Sequence, residues 1–201
     1  MMRSILSGVI LSALAVTAGH AAGPVDPDWP CVQRRQPALS VGQIWGGPPP
    51  DDAAQAHVED PDVQQLAQVI ALRRTPLPEA EGLVRDFAGA HDASALVGLF
   101  LAAFDHIQHQ RNRVMEGITR YAHKQEALDQ EINALRHAFD TANSTEPKDF
   151  DRLDALETQI DWATRVFRDR QQSLTYVCET PVILEQRAFA LGRLIAARLA
   201  E

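Results

Sequence analysis

The sequence predicts an all-α fold: an antiparallel helical-hairpin (coiled-coil) arm on a small helical bundle head, with an extended N-terminal strap containing proline and tryptophan. Three observations carry this expectation. Apolar residues recur with a heptad period along two long stretches, and a short polar break separates the two. One end of the first stretch is apolar on nearly every face, which requires several neighbours to bury it.

The chain opens with "MMRSILSGVILSALAVTAGHAAG", in which Arg3 precedes an apolar run from Ile5 to Val16 and then small residues. That is the layout of a secretory signal peptide over residues 1–21, cut after Ala21, with Gly19 and Ala21 at the two positions that must be small. The apolar run is too short to span a bilayer, and no later stretch reaches the length required. Cys31 lacks the context of a lipid-modified cysteine. The expectation is an exported protein of a bacterial periplasm. Losing the leader removes Arg3 and no acid, so the formal charge moves from −8 to −9. An acidic chain of this kind argues against nucleic acid and against anionic lipid surfaces as partners.

Residues 22–58 hold "DWPCVQRRQPALSVGQIWGGPPP", with Trp29, Trp45 and no periodicity. They read as an extended segment packed on the helices, and "GGPPP" as a turn followed by a stiff polyproline-like linker. Cys31 is one of only two cysteines, the other being Cys178. In an oxidising compartment, and with neither C-x-x-C nor an adjacent histidine, the pair predicts a disulfide.

Residues 59–201 form the helical domain, with a head from about 60–107 and 179–200 and an arm from about 108–178. Asp60 followed by Pro61 is a helix start, with Val63, Leu66 and Ile70 as the apolar face. A second short helix spans about Pro78 to Gly89. Asp92 caps the long helix that follows. With Phe104 at position a, its core series runs Ile107, Arg111, Val114, Ile118, Tyr121, Gln125, Leu128, Ile132, Leu135, Phe139, Ala142, alternating steps of three and four. After Asn143–Lys148, where Pro147 suits a first helical turn, the second series runs Leu153, Leu156, Ile160, Ala163, Phe167, Arg170, Leu174, Val177 and on to Ile195. Folding at the break pairs Phe139 with Leu153, Ile132 with Ile160, Ile118 with Leu174 and Tyr121 with Arg170, and it sets Arg136 beside Glu157. Pro181 should kink the second helix where arm meets head. Cys178 falls at position e, so the disulfide obliges the N-terminal strap to run along that flank of the pair, beside Met115 and Ala122.

The motifs of catalysis are missing: there is no G-x-S-x-G, no H-E-x-x-H, no phosphate-binding glycine loop and no paired Glu-x-x-His. His106 and His109 have metal spacing on one helix, yet no third or fourth ligand is identifiable, so neither metal nor cofactor is expected. Trp162 sits at position c, outside the seam, with Val166 one turn on; tryptophan outside a core is enriched at interaction hot spots. Phe150, at the tip, is expected to pack on Phe139. Trp29, Trp45 and Arg34 mark a groove beside the strap as the place for any ligand. The reading is a non-enzymatic interaction protein, an adaptor or chaperone-like factor that uses the hairpin to hold another periplasmic or envelope protein, with homodimerisation through the arm left open. The alternative is a small-molecule or metal-binding protein with its site between strap and head.

Overall fold

Six α-helices and no strand are found in the computed structural model, which describes residues 26–200. The all-α expectation holds. The signal-peptide reading of residues 1–21 lies outside the described residues. No helix among the described residues is long and apolar enough to cross a membrane.

The first two helices fall inside the segment read as extended. α1 (Val41–Ile44) is one turn closed by a capping box between Ser40 and Gln43, and α2 (Asp52–His57) starts where Asp51 accepts from the Ala54 amide at 2.8 Å. Local capping chemistry, with no apolar period behind it, was enough to turn the backbone twice. α3 (Pro61–Ala71) and α4 (Leu77–Ala88) follow, each with a proline in the first turn, where its missing N–H costs nothing. Asp60 does not cap α3 with its side chain; its carboxylate lies 2.7 Å from His57 Nδ1 instead.

α5 (Ala93–Asn143) and α6 (Phe150–Arg198) are the two long helices, 51 and 49 residues, the former about 76 Å long at 1.5 Å per residue. Asp92 caps α5 by accepting from the Ala95 amide at 2.9 Å. α6 begins later than Pro147 predicts. Asp149 is its N-cap, accepting from Arg152 N at 3.0 Å, and Pro147 lies in the connection. α6 continues through Pro181, which is buried.

From Ala95 to Ala103 every residue of α5 is buried, as the all-round apolar pattern requires. The covering comes from Val63, Ala67 and Ile70 of α3, Ala80, Val84 and Phe87 of α4, and Leu184, Leu191 and Ile195 of α6, with Leu39 and Ile44 closing the remaining side. Residues 39–58 are therefore part of the head's packing. Trp45 stacks on Phe100 at 4.3 Å between ring centroids, and its indole N–H donates to Pro48 O at 2.7 Å. A Cβ at Gly47 would collide with the Trp45 ring, so "GGPPP" includes a glycine that lets this ring fold back over its own chain. Gly98 serves the same purpose between helices: a Cβ there would stand 2.8 Å from His57 Cβ and 2.9 Å from Ala54 O.

Past residue 107 the buried residues of α5 thin to Arg111, Ile118, Ile132 and Ala142 along the seam, with Met115 and Ala122 on the flank beside it. Across it, Gln125 Nε2 donates to Phe167 O at 3.2 Å, and Arg170 acts electrostatically on the Tyr121 hydroxyl. Both contacts sit in the register that pairs Ile118 with Leu174. No ion pair joins Arg136 to Glu157. Phe150 is 69% exposed and does not pack into the seam, because as the first residue of α6 it lies off the a and d positions.

Candidate functional site

Any binding surface on the two long helices has to be one that the rest of the chain leaves uncovered. The N-terminal segment settles which flank is covered. Cys31 and Cys178 are bonded, with Cα atoms 5.6 Å apart. From there the segment lies along α5. Trp29 is buried against Met115 and Ile118, and its indole N–H donates to Gln33 O at 2.6 Å. Thr119 donates to Asp28 O at 3.2 Å, His123 Nε2 lies 2.6 Å from Asp28 Oδ1, and Leu39 N donates to the Gln108 side chain at 3.4 Å. An extended strand of backbone cannot satisfy its own N–H and C=O groups, and here side chains of α5 at successive turns take over part of that task.

Arg111 occupies a seam position and is only 2% exposed. Its guanidinium donates to Gln36 O and to Pro37 O, the latter at 3.4 Å. Burial holds this guanidinium below its usual range, while the Glu185 carboxylate acts in the opposite direction. Arg187 is buried in the head, with Nε 2.9 Å and a terminal nitrogen 2.6 Å from Ile70 O, and burial again lowers its pKa. Both cations replace lost water with backbone carbonyls, Arg187 capping the end of α3 and Arg111 tying the strap to the helix pair.

The residues singled out from sequence are not brought together. Trp29 sits at Met115 and Trp45 at Phe100, about 22 Å apart along α5. Both side chains serve as cover for apolar surface. Arg34 is exposed, whereas its neighbour Arg35 lies 5.8 Å over the Trp29 ring and donates to Asp26 at 3.0 Å. That hydrogen bond holds the Asp26 carboxyl below its usual range. In extended backbone adjacent side chains point opposite ways, so a one-residue error changes the face. A groove of about 550 Å³ does open beside the strap, lined by Arg35, Pro37, Asn112, Met115, Glu116 and Arg120 among others. His106 Nε2 is 3.0 Å from Gln64 Oε1 of α3, and His109 Nδ1 is 2.9 Å from Asp105 O, so the two histidines have separate partners. Among the described residues no three His, Cys, Asp or Glu side chains are grouped to hold a metal ion.

The opposite flank of the pair is defined by positions c and g. On α6 it carries Trp162, which is 67% exposed, half-buried Val166 one turn on, and Tyr176, which is 76% exposed. The sequence marks Trp162 and Val166 on this flank; Tyr176, two heptads beyond Trp162 at the same position c, belongs to the same row and is reached only by extending the c series. Solvating a large aromatic surface is unfavourable, and two such rings on one face mark an incomplete interface. No protein-family model, no curated protein and no solved structure matches this chain.

Proposed function

We propose that this is an exported, non-enzymatic interaction protein of the bacterial periplasm, adaptor or chaperone-like, whose outer helix pair is an arm that docks another protein of the envelope. The observation that carries it is the exposure of Trp162 and Tyr176 on the one flank of the pair that the strap does not cover. The leader-like start, the acidic charge and the Cys31–Cys178 bond support export. Rigid helices presenting aromatic side chains in a fixed row lose little entropy on docking, which favours a protein partner at this face. Capture from periplasmic extract of the source organism, with wild type and Trp162→Ala compared, tests the reading. The expected result is a partner held by the wild type and lost with the variant. Equal recovery would move binding away from this face.

A second reading has its own observation. The groove of about 550 Å³ beside the strap carries Arg35, Arg120 and Glu116, the last 3.7 Å from Arg120, and this mixed lining suits a small polar ligand. Native mass spectrometry of protein purified from its own host checks this reading. A retained mass that disappears in Arg120→Ala supports it, and a bare chain contradicts it.

A further inference from the structure

We infer that the partner on the Trp162 flank is a second copy of this chain, docked antiparallel to form a four-helix bundle. The inference rests on the reading of that flank as a protein-binding surface and names its occupant.

Charge is the first argument. The outer half of the helix pair, residues 126–161, contains ten Asp and Glu against three Lys and Arg. The inner half, residues 108–125 and 162–178, contains seven Lys and Arg against two Asp and Glu. An acidic protein has thus concentrated cations next to its own acidic tip. On the flank itself, positions c and g carry Arg113, Arg120, Lys124 and Asp169 in the inner half and Glu131 and Arg152 in the outer half. Two pairs laid head to tail bring each Lys124 to the other copy's Glu131, whereas two laid head to head would set Arg113, Arg120 and Lys124 against their counterparts in the other copy.

Register is the second argument. Position c of α6 holds Ala155, Trp162, Asp169 and Tyr176, and position g holds Arg152, Gln159, Val166 and Ser173. A two-fold axis at residue 164 sets Trp162 of each copy on Val166 of the other, and Tyr176 beside the second copy's Arg152. The same axis acts on α5, because the two helices are locked in one register. It places Lys124 opposite the second copy's Glu131 and Gly117 opposite Ala138, with the Ala127 residues of the two copies offset by one residue. The alanines and Lys124 and Glu131 are open to solvent apart from half-buried Ala138, and a Cβ on Gly117 would meet nothing closer than 4.0 Å. Small residues at these positions let the two layers approach closely, so the bulky Trp162 finds a partner while α5 meets α5 without a clash.

Length is the third. The cleft lined by Arg73, Arg113 and Thr180 shows that the chain after α3 reaches the same flank at Thr180. In the proposed register the second copy's tip at Pro147 falls opposite Pro181, where that shoulder begins. The shared strip runs from Arg113 to Thr141, about 42 Å, and is two helices wide, which gives roughly 800 Å² per copy, the size of a standard specific interface.

Sedimentation equilibrium of the mature chain over a concentration series tests the proposal, with Trp162→Asp, Lys124→Glu, Glu131→Lys and the double Lys124→Glu/Glu131→Lys. The wild type is expected to be a dimer and Trp162→Asp a monomer. Each single charge reversal is expected to weaken the dimer about ten-fold, the pair being used twice, and the double reversal to restore it to within about three-fold. These positions are exposed, so unchanged helical circular dichroism and melting confirm that each variant is folded. A monomer at every concentration, a dimer indifferent to Trp162→Asp, or a double reversal as weak as the singles overturns the proposal. If the wild type is a monomer while Trp162→Ala still loses an envelope protein in the capture experiment, the second copy is wrong and the interaction reading stands.

Discussion

Replacing both cysteines by serine removes the only covalent tie between the strap and α6. The bond joins residues 147 apart, and the chain-entropy relation for a loop of that length gives about 5 kcal/mol of stabilisation. Removal of native disulfides costs about 2–5 kcal/mol in practice, partly because the strap keeps its other contacts. Here those are the Trp29 packing and the Arg111 and Thr119 hydrogen bonds to strap carbonyls. For a domain near this size each kcal/mol moves the melting temperature by about 2–4 °C, so the expected fall is about 5–20 °C. Scanning calorimetry of oxidised wild type and Cys31→Ser/Cys178→Ser measures it. Amide exchange should show the loss spread unevenly, with protection falling first at Leu39 N and along residues 28–37. A variant melting with the oxidised wild type would refute the strap as a structural tie and leave the bond without a stabilising role.

Three further perturbations have outcomes that the packing determines. Gly98→Ala forces a methyl group to within 2.8 Å of His57 and should destabilise by about 1–3 kcal/mol in urea titration. Arg187→Met strips Ile70 O of both its donors and should cost about 1–3 kcal/mol, most visibly as fraying at the end of α3. Burial raises the Tyr121 phenol above its usual range, with Arg170 pulling the other way. A group with a raised folded pKa contributes its stability below the unfolded value, so stability should decline as pH climbs above about 10. Tyr121→Phe should flatten that decline in alkaline melting curves.

The parts of this protein that follow a period were legible from sequence, and the parts decided by single contacts were not. Steps of three and four locate the helix pair and its register, because only one apolar stripe can face one neighbour. The all-round apolar stretch of α5 likewise announced a head, since such a helix cannot stand in water. Pairing Cys31 with Cys178 needed only a count and a compartment. By contrast, α1 and α2 are made by the caps at Ser40 and Asp51, which a search for apolar period passes over. Trp45 lies in the head, apart from Trp29, because its position depends on Gly47 and Phe100, a contact across more than fifty residues with no sequence pattern. Arg111 stood out as a polar seam residue, but its acceptors are carbonyls of the strap, which side-chain chemistry cannot foretell. The exposed flank was half visible: Trp162 and Val166 were found as isolated features, and the structure supplies the reason they stay uncovered, namely that the strap holds the other side.

The central claim is that a protein chain docks on the Trp162 flank while the opposite flank belongs to the strap. Photocrosslinking in living cells tests it most directly, with a benzophenone amino acid placed at residue 162 or, on the strap side, at residue 171. The account predicts an irradiation-dependent adduct from position 162, whether at twice the chain mass or with a different envelope protein, and none from position 171. No adduct at 162, or equal adducts at both positions, would contradict it.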